Sequence, residues 1–222
     1  RTVYYTHEQQ ESKKNTHPMC TALPPMAVDR DAGLLCNEYL LKRNLDPVLA
    51  QDNGWFPSRE AGDSFLRIVI PAQTWKQGHV YFQARDVTGK AFLRYTSPRG
   101  PRHEALIKVM PNIEPKGIVI LEGPCCSLAA AQAGYLGYAV MGKIPSKATL
   151  AHLALLIEDN KDLKTLVLLD RDSPESAVPI VSFLASQGYP AKMGQFTKSK
   201  DLAELQPSER KRLLDGYFKS FS

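Results

Sequence analysis

Three carboxylates stand where a chain can do chemistry on phosphates: Glu122 in ILEGP, and Asp170 and Asp172 in LVLLDRDSP. Each follows a short, continuously apolar run of the kind that forms a strand buried on both faces. In an open parallel sheet, ligands bind beyond the carboxyl ends of such strands. In an extended segment residues i and i+2 point to the same side, so Asp170 and Asp172 are expected to face one ion together while Arg171 points away. Carboxylate oxygens are hard ligands suited to Mg²⁺, an ion that keeps several waters and shares phosphate oxygens with its substrate. The chemistry implied is phosphoryl transfer or phosphodiester chemistry assisted by one or two metal ions. Alone, either aspartate reads better as a helix N-cap or a solvated turn; the combination points to a site.

The elements that must position these groups follow from the pattern of apolar residues. From Gly117 the chain alternates strand and helix: GIVILEG, then the helix SLAAAQAGYLG, the strand YAVMG, the helix KATLAHLALLIED, the strand TLVLLDRD, the helix ESAVPIVSFLASQG and the strand YPAKMGQF. Apolar strands separated by amphipathic helices predict an α/β fold with a central parallel sheet flanked by helices. Upstream the texture differs. FLRIVIPA, HVYFQARDV, a turn at Thr88-Gly89-Lys90, AFLRYTS and EALIKVM read as a small, mostly antiparallel sheet. One amphipathic helix, DAGLLCNEYLLKRNL, precedes it, with Asp29 as its N-cap and its end before Pro47. The expected organisation is therefore an arm over residues 1–27, a small mixed α+β basic subdomain over 28–113, the parallel α/β unit over 116–205 and a C-terminal helix over 206–222.

Composition narrows the setting. The 222 residues are 43% hydrophobic and 23% charged, enough to bury a real core. No run approaches the roughly 18 apolar residues of a membrane span, and the start, RTVYYTHEQQESKK, lacks the apolar stretch of a signal peptide. A cytoplasmic protein without a membrane partner is expected. The first residue is Arg rather than Met, which fits a piece of a longer protein. Cys20, Cys36, Cys125 and Cys126 are too few and too irregular for a disulfide framework. His17, Cys20 and Cys36 lack the paired Cys-x-x-Cys of a zinc ribbon, so no zinc is expected in this chain.

A strand-terminal Glu-Gly about fifty residues before a strand-terminal Asp-x-Asp, with a helix, a strand and a helix between them, resembles the TOPRIM domain of bacterial-type primases, topoisomerases and some nucleases. The resemblance implies acid or base work and metal support for Glu122, and metal binding by Asp170 and Asp172. KSKDLAEL resembles the Lys-Asp-x-x-Glu stretch that follows the last acidic strand in primases, which makes Asp201 a further metal ligand and places Lys198 and Lys200 near the nucleotide. Upstream, FLRIVIPAQTWKQGHVYFQARDVTGKAFLRYTSP resembles the smaller primase subdomain: an arginine before an apolar strand, a strand ending in an arginine, and a basic-Tyr pair. Arg67, Arg85, Arg94 and Tyr95 occupy those places. The likeness runs from about Tyr39 to Leu205 and favours the bacterial or bacteriophage primase branch, whose relatives among nucleases and topoisomerases do not usually carry the upstream region. In one position the chain departs from the pattern. Primases commonly have an aspartate four residues after the glutamate, and here that residue is Cys126, a poor Mg²⁺ ligand that reads as buried and inert.

What the resemblance implies is a primase catalytic core that joins ribonucleoside triphosphates on a single-stranded DNA template with Mg²⁺ or Mn²⁺, and that works with a replicative helicase. The alternatives are a TOPRIM nuclease, or a catalytically weakened module that binds single-stranded DNA or a helicase. Lys90, Arg94, Tyr95, Arg99, Arg102 and His103 cluster in the hairpin and loop of the smaller subdomain. Such a run is often only a solvated face, but Arg holds phosphates by paired hydrogen bonds, and a basic groove with aromatics holds single strands. Lys42 and Arg43 are weaker candidates at a helix end. Arg210, Lys211 and Arg212 read as surface, and Trp55 and Trp75 as packing.

Overall fold

A computed structural model describes residues 20, 22–62, 65–74, 80–100, 102, 105–142, 145–172, 174–196, 199 and 201–221. The chain opens with α1 (Arg30–Lys42), α2 (Pro47–Asp52) and β1 (Phe56–Ser58), then β2 (Arg67–Thr74), β3 (Tyr81–Asp86), β4 (Tyr95–Thr96) and β5 (Ala105–Val109). It continues through β6 (Ile118–Leu121), α3 (Pro124–Gln132), β7 (Leu136–Ala139), α4 (Lys147–Glu158), β8 (Thr165–Val167), α5 (Ala177–Ser186), β9 (Ala191–Met193) and α6 (Pro207–Lys219). No helix among the described residues is long and apolar enough to cross a membrane.

The strands form one sheet in the order β4-β3-β2-β5-β7-β6-β8-β9, with β1 beside β2. β7, β6, β8 and β9 pair in parallel, as the alternating strand and helix pattern requires. The upstream strands pair antiparallel. The two regions are not separate sheets. β5 pairs antiparallel with both β2 and β7, so the hydrogen-bonded ladder runs unbroken from the basic hairpin to the acidic strand ends.

Alternation along β6 builds a core on each side. Ile118 and Ile120 face α4 and α5 with Leu153, Ile180 and Leu184. Val119 and Leu121 face the other way, against α1, α3 and α6 with Leu40, Leu128 and Leu214. The approach of α3 is set by Gly137 on β7, where a Cβ would meet the Ser127 carbonyl oxygen at 2.5 Å and its Cα at 2.9 Å. Any side chain there pushes the helix off the sheet.

Several boundaries differ from the sequence pattern. α3 starts at Pro124, three residues before the expected SLAAAQAGYLG, because proline at the first helical position has no amide proton to leave unsatisfied. It ends five residues earlier than expected. Gly134 takes φ 93°, its N–H donates to Ala131 O at 2.9 Å and the Tyr135 N–H donates to Ala130 O at 3.1 Å, a Schellman stop that releases the chain into β7. α2 and β1 were not expected, although Asp46 caps α2 through Val48 N–H and Pro47 opens it. The expected strand AFLRYTS shrinks to Tyr95–Thr96, and TLVLLDRD to Thr165–Val167.

Arg210, read as surface, is wholly buried. Its guanidinium donates to the carbonyls of Leu202, Asn44, Arg43 and Ala203 and to Gln132 Oε1, at 2.7–3.3 Å.

Two expectations follow. Gly137→Ala should cost about 1–3 kcal/mol through overpacking, whereas Gly33→Ala in α1, where a Cβ meets nothing within 4 Å, should stabilise by about 0.5–1 kcal/mol; urea midpoints of the two variants give both signs. Arg210→Met should cost at least about 3 kcal/mol by stranding buried acceptors, and Arg210→Lys should recover little of it because one ammonium cannot span carbonyls on three segments. A Lys variant as stable as the parent in the same titration contradicts this.

Candidate metal centre

Glu122 leaves the end of β6 beside Gly123, the N-cap of α3. Asp170 and Asp172 lie just past β8, whose pairing continues one residue through Leu168 N–H to Ile120 O at 2.8 Å. The chain has already turned at Asp172. The extended i, i+2 geometry expected for the two aspartates is therefore replaced by a turn, yet the carboxylates still converge: one oxygen from each of Glu122, Asp170 and Asp172 lies within 4.8 Å of the others. Glu122 and Asp170 are half-buried and Asp172 is exposed. Three like charges this close repel one another unless a cation or a proton intervenes. An all-oxygen donor set fits a hard divalent ion such as Mg²⁺ or Mn²⁺.

Asp201 lines the same cleft. Its Oδ1 accepts the Glu204 N–H at 3.0 Å, capping a 3₁₀ turn over Leu202–Glu204. Cys126 lies behind, 5% exposed. Burial, followed by the charges of Asp201 and Asp170, pushes its thiol well above the ordinary value. It stays a neutral thiol that packs rather than binds a metal.

The cleft is about 960 Å³. In the same cleft β3 presents Tyr81, Gln83 and Arg85 at alternate positions, and Arg43, Arg94, Tyr95 and Arg102 also line it. The Arg85 guanidinium carbon lies 4.8 Å from the Tyr95 ring centre and 5.5 Å from that of Tyr39, a cation held between aromatic faces. The Nε–H groups of Arg43 and Arg85 are buried and hydrogen-bond to no protein group among the described residues. Burial pushes the Tyr39 and Tyr95 hydroxyls up, so both remain protonated donors at neutral pH. Arg102 donates to Met141 O at 2.7 Å and pins the loop after β7 against the cleft.

Other expected binding residues divide. Lys90 and Arg99 are exposed outside the cleft wall. Lys198, Lys200, His103 and Trp75 lie outside the described residues. Arg67 corrects the reading of the sequence: it is fully buried and donates to Ala84 O at 3.1 Å and Leu93 O at 3.0 Å, so it shapes the hairpin loop and does not reach a nucleic acid. Arg43, only a weak candidate from its place at a helix end, is a principal wall residue. The signal was there in its spacing from Tyr39, one helical turn earlier, which puts both on the cleft side of α1.

Comparison with solved structures gives consistent matches. The Aquifex aeolicus primase zinc-binding and RNA polymerase domains superpose with a TM-score of 0.61 at 20% identity, covering 85% of this chain and 56% of that one. The chain has the fold of a primase RNA polymerase domain. The RNA polymerase domain of Mycobacterium tuberculosis primase DnaG gives a TM-score of 0.62 at 17% identity, over 85% of this chain and 78% of that one. A complex of bacteriophage T7 lagging-strand DNA polymerase with the primase domains of two gp4 subunits, an RNA/DNA hybrid and dTTP gives 0.55 at 17% identity, over 82% and 90%. This chain thus spans little more than half of the A. aeolicus chain. No family model and no curated protein matches the sequence.

On this primase fold the acidic trio makes a prediction independent of activity. At a free Mn²⁺ concentration about 100 times its Kd, the parent should gain about 2.7 kcal/mol of stability. Asp170→Asn should lose that gain. Equal Mn²⁺ stabilisation of both proteins in a thermal melt would refute a metal centre here.

Proposed function

We propose that the chain is the catalytic core of a DNA primase that joins ribonucleoside triphosphates on single-stranded DNA. The observation that carries this reading is the division of one cleft into an acidic end, lined by Glu122, Asp170 and Asp201 with Asp172 within 4.8 Å of the first two, and a basic and aromatic wall whose buried Arg43 and Arg85 Nε–H groups have no protein acceptor among the described residues. Acids alone suit many phosphate chemistries. Facing a wall of guanidinium and phenol groups, they suit a reaction that holds a triphosphate and a polynucleotide at once.

In this reading Arg85, clamped between Tyr39 and Tyr95, and Arg43 hold triphosphate oxygens, where a guanidinium gives paired hydrogen bonds. The carboxylates of Asp170 and Asp172, supported by Glu122 and Asp201, hold Mg²⁺ or Mn²⁺, which when bound neutralises charge developing on the phosphates. Glu122, rooted at the end of β6, accepts the proton as a 3′-hydroxyl attacks the α-phosphorus. The new P–O bond forms as the bond to the β-phosphate breaks, and pyrophosphate leaves. Cys126, in the place of a customary acidic residue, contributes packing only, so the metal set has one carboxylate fewer than the primase pattern. The RNA/DNA hybrid in the complex that contains the T7 primase domains supports a nucleic-acid substrate for this fold.

Primer synthesis on a single-stranded template with nucleotides and Mg²⁺ or Mn²⁺ tests the reading. Asp170→Asn should lose at least about 100-fold in product, in line with several kcal/mol of lost charge stabilisation, and Cys126→Ala should leave the yield essentially unchanged. Equal yield from Asp170→Asn would sink the metal mechanism. Template cleavage without synthesis would identify a nuclease, and DNA binding without product under either ion a non-catalytic binding module.

A further inference from the structure

The loop between β3 and β4 holds an aromatic ring out into solvent. Phe92 is 99% exposed, the most exposed large apolar side chain among the described residues. Its neighbour Leu93 is also mostly exposed and lines the cleft, as does Arg94, and exposed Lys90 lies two residues before it. The expected strand through AFLRYTS would have folded Phe92 onto the sheet. Instead the chain bends at residues 92–94 and pairs only from Tyr95.

The bend is built from buried groups. Asp86 Oδ1 accepts the Thr88 N–H at 3.0 Å and the Thr88 hydroxyl at 2.8 Å, and the Thr88 Oγ1 accepts the Lys90 N–H at 3.1 Å. Gly89 supplies the left-handed corner at φ 70°. The Asp86 N–H donates to Arg94 O at 3.0 Å, and the buried Arg67 guanidinium holds Leu93 O at 3.0 Å. Two buried charged residues, Arg67 and Asp86, thus fix the backbone on either side of Phe92. An apolar ring that a rigid loop keeps from the core is suited to a partner surface. Here the cations beside it, and the basic cleft wall it adjoins, specify what that surface is: a polyanion with flat apolar faces.

We propose that Phe92 is a stacking point for an unpaired base of the single-stranded DNA template, with Lys90 and Arg94 holding the phosphates on either side. The inference rests on the reading that single-stranded DNA enters this cleft. Base–aromatic stacking tolerates any base, so Phe92 steadies the strand at the rim without reading its sequence. Arg67 and Asp86 act through the loop and touch no nucleic acid.

The test is a titration of single-stranded DNA containing 2-aminopurine, whose emission is quenched by stacking, with the parent chain, Phe92→Ala and Phe92→Trp. Because the ring is solvent-exposed, neither variant disturbs the core. Phe92→Ala should bind about 5- to 150-fold more weakly, the range for removing one base–aromatic stack, and lose the quench. Phe92→Trp should keep both. On the same strand made abasic, the parent and Phe92→Ala should bind alike. Phe92→Ala binding and quenching as the parent does, an equal deficit on abasic DNA, or no binding of single-stranded DNA by the parent would each overturn the proposal. Primer synthesis assayed in parallel separates the two readings. A parent that quenches in a Phe92-dependent way but makes no primer keeps the stack and loses the catalytic assignment. A parent that makes primer while Phe92→Ala binds unchanged loses the stack alone.

Discussion

The cleft depends on one buried cation. Arg210 reaches from α6 beneath the acidic end and holds the carbonyls of Leu202 and Ala203, next to Asp201, together with those of Arg43 and Asn44 at the end of α1. Burial pushes its guanidinium pKa down, but an arginine so low in the interior still keeps its charge at neutral pH. A charged group in that position is tolerable only because its donors meet oppositely polarised carbonyls. The consequence is geometric. A wall residue, Arg43, and an acid, Asp201, come from opposite ends of the chain, and a single planar fork sets the distance between their backbones.

The second constraint is the closeness of α3 to the sheet. Glu122 and Cys126 flank the start of this helix, and its depth is set where Gly137 lets the Ser127 backbone rest on β7. The Schellman stop at Gly134 then turns the chain straight into β7, so Glu122 and the loop after β7 meet: the Met141 N–H donates to Glu122 O at 3.0 Å. The acid, the helix start and the loop pinned by Arg102 are one packed unit. The Glu122 backbone is thereby fixed, the condition under which a carboxylate can be held ready in a half-buried, like-charged site.

Much of this was legible in the sequence and some was not, for physical reasons. The three carboxylates announced themselves because continuous apolar strands leave few other places for acids, and the alternation of strands and helices fixed which ends they share. The parallel sheet, the N-cap at Asp29 and the burial of Cys126 follow from local rules that tertiary structure did not override. The errors fell on arginines. Arg67 and Arg210 carry charge, and charge reads as surface or as ligand binding; their burial depends on carbonyls contributed by segments far away in sequence, which no local pattern encodes. Short elements such as α2 and β1 escaped because a few residues carry too little periodicity.

Strand parity resolves the arginine problem once the register is known. On β3 the residues facing the cleft are Tyr81, Gln83 and Arg85, and those facing away are Phe82, Ala84 and Asp86. β2 pairs with β3 so that Arg67 stands opposite Asp86 and Ile68 opposite Arg85, and directly opposed residues of an antiparallel pair share a face. Arg67 must therefore sit behind the sheet, with Val69 and Ala84, while Arg85 sits in front on the cleft wall. A slip of one residue in that register would set Arg67 opposite Arg85 or Val87 and so put both arginines on one face of the sheet. The aromatic clamp of Tyr39 and Tyr95 on one face and the Asp86-built loop on the other each require the observed register. Holding the strands in that register therefore also fixes which arginine lines the cleft and which one builds the loop.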